Sequence, residues 1–248
     1  MDSLVGDHNP LLKRIRRAVS QGTLTDDGFA VAEGSHLLAE ARRAGCEIRA
    51  VIARESSAAE FPEARLVSDK TFRDLASTGT PQGIIALVRP PVATFEQMLA
   101  GQALVVVLDG LQDPGNAGAI VRAAEAFGAT GAVFLKGTVN PYNPKCLRGS
   151  AGSIFRLPLV AGASAEQFLQ VAPPNLYGAM PRAQKLLSEA DLSEPCAIVI
   201  GSEARGIGPE LAARSTGVRI PTSGVESLNA AVAAGILLYE ARRQRGRL

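Results

Sequence analysis

The sequence predicts an α/β protein of two unequal parts, a parallel sheet covered by helices in the second half and a smaller α/β unit in the first. Three observations predict it. The first is a set of apolar runs without alternation, Leu104 to Leu108, Gly131 to Leu135 and Cys196 to Ile200, as expected of strands buried on both faces. The second is that helical patterns fall between or after these runs, at 117–127 and 228–243. The third is the break at Arg89-Pro90-Pro91, where proline restricts both itself and the residue before it. The break divides the chain into a first domain at 1–90, a linker at 91–102 and a second domain at 103–248, and 248 residues suffice for two modest domains.

In chain order, residues 9–20 read as a short basic helix with Leu11, Leu12, Ile15 and Val19 on one face. Strands at Phe29 to Ala32, Ile48 to Ala53 and Ile84 to Val88 alternate with a helix, Ser35 to Arg43, and helical turns at Ser68 to Ala76. The second half adds a strand at Val218 to Ile220. In parallel sheets ligands bind beyond the carboxyl ends of the strands, which selects the segments after Leu108, Ile200 and Ile220.

Composition removes several function classes. The chain has 4% aromatics and no Trp, which disfavours an aromatic platform for single strands. His8 and His36 are the only histidines, and Cys46, Cys146 and Cys196 lie far apart, so no metal-ligand spacing exists and no metal is expected. Scattered cysteines suit a reducing cytoplasm. The first residues lack the layout of a signal peptide and no apolar run approaches a membrane span, so a cytoplasmic protein without membrane contact is expected. A net charge of +2 permits a nucleic-acid partner without demanding one. Basic residues cluster at Lys13, Arg14, Arg16, Arg17, at Lys136 through Lys145 and Arg148 to Arg156, and at Arg242, Arg243, Arg245, Arg247.

Three loops carry polar residues at strand ends. The first, Asp109 to Asn116, runs into helix 117–127, whose apolar stripe is Ala117, Ile120, Val121, Ala124 and Phe127, with Gly118, Arg122 and Glu125 opposite. Locally, Asn116 reads as a helix N-cap and Arg122 as an i,i+3 partner of Glu125. The second, Ile200 to Glu210, is glycine-rich, and its Glu203 reads as a cap for the following turn or a substrate contact. It contains no GxGxxG, which weighs against a nicotinamide-dependent oxidoreductase. The third, Ile220 to Asn229, offers Ser227 as N-cap and Asn229 as a first-turn polar residue before a helix rich in small side chains.

Taken in order, the loops resemble the three motifs of the SpoU/TrmH family of RNA ribose 2′-O-methyltransferases, of the SPOUT class. The segments concerned are Asn116 to Arg122, Ile200 to Gly206, and Ile220-Pro221 through Ser227-Leu228-Asn229. Pro144-Lys145 and Arg148 to Gly152 resemble the segment between the first two motifs. Ala32-Glu33-Gly34 and Pro81-Gln82-Gly83 resemble the family's small ribosomal-protein-like substrate-binding domain. One departure is Thr222, where members often carry Met.

The resemblance implies a deep trefoil knot in the second domain, S-adenosylmethionine as cofactor, a homodimer, and RNA, most readily large-subunit ribosomal RNA, as substrate. Transfer RNA and a non-catalytic RNA-binding role are the alternatives it leaves. It implies catalytic roles for Arg122, Asn116 and Asn229, and cofactor contacts from Gly201, Ile220, Leu228 and Ser227. Glu203 is expected to position RNA or the partner's loop. Lys145, Arg148, Lys13, Arg14, Arg16 and Arg17 are the expected phosphate contacts, so RNA binding should weaken steeply with salt.

Overall fold

The computed structural model describes residue 6 and residues 9–246; the first five residues, His8 and Arg247 of the basic tail lie outside them. Asn9 caps the first helix, α1 (Pro10–Gln21), by accepting the Leu11 N–H, and Gly22 ends it in the left-handed region. There follow β1 (Ala30–Glu33), α2 (Ser35–Arg43), β2 (Ile48–Arg54), β3 (Arg65–Val67), α3 (Asp69–Leu75) and β4 (Ile84–Val88). Their sheet has the order β1-β4-β2-β3, antiparallel except for the β2–β3 pair. Leu12, Ile15, Phe29, Phe72 and Leu87 fill one face under α1 and α3.

The stretch 91–102 is no bare connection. It carries α4 (Phe95–Leu99), whose Met98 is fully buried against the second sheet. That sheet is built from β5 (Leu104–Asp109), then α5 (Pro114–Ala126), β6 (Gly131–Leu135), α6 (Pro144–Ser150), β7 (Leu159–Ala163), α7 (Ala165–Leu169) and β8 (Asn175–Ala179). It is completed by β9 (Cys196–Gly201), α8 (Pro209–Arg214), β10 (Thr216–Val218) and α9 (Ala230–Gln244). Its six strands are parallel in the order β10-β8-β9-β5-β6-β7. Val105 and Val107 pack with Phe168 and Leu211 on one face, while Leu104, Val106 and Leu108 pack with Ile120 and Leu237 on the other. Burial on both faces explains why β5, β6 and β9 read as unbroken apolar runs.

Several sequence expectations shift. The helix expected at 117–127 starts at Pro114, because Asp113 is its cap, accepting the Asn116 N–H at 2.7 Å. The helix expected from 228 starts at Ala230, capped by Asn229 and not by Ser227. The strand expected at Val218 to Ile220 is Thr216–Val218. Gly118 is not on an open side of its helix. It is buried where α5 meets α6, and a Cβ there would stand closer than 3.0 Å to backbone atoms of Cys146, Gly149 and Ser150. Gly118→Ala should therefore lower the stability by about 3 kcal/mol, read from the urea midpoint, whereas an unchanged midpoint would mean the two helices can part without loss.

The two sheets share one core across α6 and β1. An ionic clasp closes the same boundary. Arg156 donates two hydrogen bonds to Glu125 of α5, at 2.6 and 2.9 Å, and a third to buried Glu40 of α2, which also pairs with Arg43. Glu125 thus pairs with Arg156 and not with Arg122. Its carboxyl is held below the ordinary value, first by the hydrogen bond from Arg156. A depressed folded-state value contributes stability that is complete above the unfolded value and is lost as pH falls through the folded one. Arg156→Met should cost about 2 kcal/mol at neutral pH. It should also lose less stability than the wild type on acidification to about pH 3. Equal acid sensitivity of both proteins in urea titrations would show that this pair does not carry the effect.

Candidate active site

The carboxyl ends of β8, β9 and β10 open into a cleft of about 1110 Å³. The four expected cofactor contacts Gly201, Ile220, Ser227 and Leu228 line it, beside Ile200, Val218 and Leu237. Its wall combines aliphatic side chains and small loop residues with the charged side chains Arg182, Glu203, Arg205, Arg219 and Glu226. Gly201 ends β9 with no room for a side chain, since a Cβ would come closer than 3.0 Å to the backbone of Gly206 and Ile207. That contact exists because loop 202–206 folds back on the strand end, with Ser202 and Gly206 exchanging backbone hydrogen bonds at 3.0 and 2.8 Å. Asp109, at the end of β5, accepts the Gly208 N–H at 2.7 Å and so ties this loop to the first one.

The loop from Ile220 to Leu228 makes no backbone–backbone hydrogen bond to the described residues; Thr222 donates its hydroxyl to the Val225 carbonyl. Apart from the Val225 carbonyl, its backbone N–H and C=O groups are therefore left for solvent or a bound molecule. Sequence reasoning missed one wall, Ala179 to Arg182. The carboxyl-end rule would have found it had β8 been recognised, but Asn175-Leu176-Tyr177-Gly178-Ala179 is short and glycine-containing and lacks the apolar run of its neighbours.

Three polar side chains meet at the mouth of the cleft. Asn229 donates from Nδ2 to Asn116 Oδ1 at 3.0 Å, and Asn116 donates from Nδ2 to Glu203 Oε1 at 2.8 Å. Asn229 Oδ1 accepts from the Ala231 and Val232 N–H groups, which fixes its amide from behind. Each of the three comes from a different loop. Glu203 is thus a partner of Asn116, and Asn116 lies in the first turn of α5 instead of capping it. Arg122 is exposed on α5 and makes no hydrogen bond or ion pair with another described residue.

The expected phosphate contacts are placed unevenly. Lys145 is exposed but pairs with Asp113 at 2.7 Å, and its ammonium, followed by the Asn116 N–H, holds that carboxyl below the ordinary range. Arg148 is half-buried and donates to Ser77 at 2.5 Å. On α1, Arg14 pairs with Asp27 and Arg17 with Asp26, while Lys13 is exposed and Arg16 half-buried. This α1 cluster is largely engaged within the chain, because Asp26 and Asp27 fold back beside it. In the tail, Arg243 pairs with Glu240, and Arg245 clasps the carbonyls of Gln102, Ala103, Leu192 and Glu194. Burial pushes the Cys146 thiol up to about 12, so it stays protonated as packing under α6.

The SpoU rRNA Methylase family model matches residues 103–239, which include all three loops. The chain belongs to this family. It is 35% identical, over 98% of its own length and 94% of the other's, to an uncharacterized tRNA/rRNA methyltransferase of Synechocystis sp.. It is 29% identical to the 23S rRNA (guanosine(2553)-2′-O)-methyltransferase of Bacillus subtilis, across 98% of this chain and 100% of that one. The solved AdoMet-bound rRNA methyltransferase from Sinorhizobium meliloti matches with a TM-score of 0.83 at 26% identity, covering 97% of each chain. The parallel-sheet α/β fold is thus that of SpoU methyltransferases, and the SpoU match coincides with the sheet whose strand ends form the cleft. No helix among the described residues is long and apolar enough to cross a membrane.

Proposed function

We propose that this SpoU-family chain transfers a methyl group from S-adenosylmethionine to a ribose 2′-hydroxyl of ribosomal RNA. The observation that carries the reading is the hydrogen-bonded chain Glu203–Asn116–Asn229, which gathers three loops at the mouth of the cleft. The cleft fits the cofactor. Aliphatic walls at Ile200, Ile220 and Leu228 suit a nucleoside, and the uncommitted backbone groups of 220–228 suit the polar edge of its base. Gly201, Ile220, Ser227 and Leu228 would hold it. Bound there, it supplies a methyl carbon on a cationic sulfur, the electrophile of the reaction.

The chain's own task is alignment and charge. Asn116, held on both sides, is fixed to hydrogen-bond the ribose, and such positioning can be worth about 7–11 kcal/mol. Arg122 has its whole guanidinium fork available. A literal general-base role would require a neutral guanidine, which forfeits the charge and the five-donor fork that suit this side chain to phosphate. Arg122 instead clamps the adjacent phosphodiester and stabilises the oxyanion as the 2′-proton passes to that phosphate or to water. Lys145 and Arg148 each have a partner in the chain, as Arg14 and Arg17 do, and their place beside the first loop is what supports them as phosphate contacts.

The same reading carries the division 1–90, 91–102 and 103–248, each larger part having its own sheet. It also includes the trefoil threading, supported by the return of the chain from edge strand β10 to pack α9 against α5 and β9. A homodimer is supported by apolar side chains left open on and before α9, with Val225 58%, Val232 51% and Tyr239 45% exposed. The same reading takes the protein to be cytoplasmic, meeting its ribosomal RNA there.

The test is a transfer assay with labelled S-adenosylmethionine on total ribosomal RNA and, separately, total transfer RNA, followed by mapping of 2′-O-methyl sites. Label at one ribosomal site, lost in Arg122→Ala, is expected. Label in transfer RNA alone would overturn the substrate, and no label in either would overturn the activity.

A further inference from the structure

We propose that Glu33 is a positioning residue for RNA recognition, holding loop 77–82 and the Arg148 guanidinium in one fixed arrangement; this rests on the methyltransferase reading above. Glu33 ends β1, its backbone paired with Ile85, and it is only 7% exposed. A buried carboxylate needs partners, and those of Glu33 among the described residues come from the loop that follows α3. Its Oε2 accepts from the Ser77 N–H at 2.7 Å and the Ser77 hydroxyl at 2.6 Å, and its Oε1 accepts from the Thr78 hydroxyl. The single hydroxyl proton of Ser77 is thereby committed to Glu33. Its oxygen is left to accept from Arg148 Nη1, at 2.5 Å. The direction of the relay is therefore set from the small sheet outward.

The relay ends beside the candidate active site. Arg148 lies on α6 three residues after Lys145, so the two share a face, and Lys145 pairs with Asp113, the cap that holds the Asn116 N–H. One short helix thus joins the loop of the small unit to the loop of the ribose site. Thr80 and Gln82 remain exposed on the held loop. Gly34 leaves room for Gln82, whose Oε1 stands closer than 3.0 Å to where a Cβ would sit. A hydroxyl and an amide exposed on a loop whose first residues are held together with a guanidinium are groups that can read an unpaired nucleotide and its phosphate. Glu33 is too buried to touch RNA itself, so any effect it has on RNA passes through the groups it holds.

The experiment compares full-length wild type, Glu33→Gln and Ser77→Ala, measuring RNA affinity by filter binding and methyl-transfer kinetics on the same RNA. Both variants are expected to raise the RNA Kd and KM about tenfold. Their kcat should stay within about threefold and cofactor affinity unchanged, since the cleft is not touched. The double variant should be no worse than about the larger single effect, as for parts acting as a unit. A merely structural role would shift the unfolding midpoint and leave the RNA KM of the folded protein alone; that result overturns the proposal. Should Glu33→Gln fail to fold, a wild-type RNA Kd in Ser77→Ala overturns it equally. Wild type that binds RNA without transferring methyl counts against the methyltransferase reading, whereas a normal RNA Kd in the variants counts against this one.

Discussion

Arg122→Lys should lower kcat about a hundredfold or more while RNA and cofactor binding stay near wild type. The substitution keeps the positive charge and most of the length. What it removes is the planar fork that can bridge a phosphate oxygen and the developing 2′-oxyanion at once. The structure makes this a clean experiment. Arg122 is exposed and makes no hydrogen bond or ion pair with another described residue, so its replacement leaves no buried group unsatisfied. Its neighbour Glu125 is held by Arg156 whatever stands at position 122. Single-turnover rates at saturating cofactor, with RNA affinity measured in parallel, decide the matter. Near-wild-type turnover in the lysine variant would show that charge alone suffices, and the bidentate clamp would be wrong.

Gly201→Ala should weaken S-adenosylmethionine binding about a hundredfold. The added methyl has no flexible side chain to displace, because the atoms in its way are the backbone of Gly206 and Ile207. The strand cannot yield either, since β9 lies between β8 and β5 and pairs with both. The loop must therefore move, breaking the Ser202–Gly206 bridge and shifting Glu203 away from Asn116. Calorimetric titration with the cofactor reads the first effect. The unfolding midpoint should fall far less than in Gly118→Ala, whose collision lies between two packed helices in the core. Wild-type affinity in Gly201→Ala would mean that this loop is not a wall of the cofactor site.

Asn116 shows how local and distant demands compete. Its position before an apolar helical pattern made it read as an N-cap, yet Asp113 takes that place and frees the Asn116 amide for Glu203 and Asn229. The alternative was invisible along the chain, because those partners lie 87 and 113 positions away. Arg122 shows the same competition from the other side. Its local partner, Glu125, is claimed by Arg156, 31 positions on, through two hydrogen bonds. An i,i+3 surface pair is worth only about 0.2–0.5 kcal/mol, so a bidentate and partly buried pair displaces it.

By itself the sequence determined the central strands β5, β6 and β9, because a strand buried on both faces must be apolar throughout. It also determined the three loops after them, through glycine, proline and amide residues whose local chemistry demands a turn or a helix start. Tertiary structure alone decided edge strand β7 and inner strand β8, which are interrupted by glycine and carry weak periodicity, and it set edge strand β10 at Thr216–Val218, two residues before the expected start. It decided as well which charges remain open to RNA. Lys145, Arg14 and Arg17 looked alike as basic residues, but each is met by an acid that folding brings beside it. Charge along a chain records what a side chain offers; its availability depends on which partners the fold places within hydrogen-bonding distance.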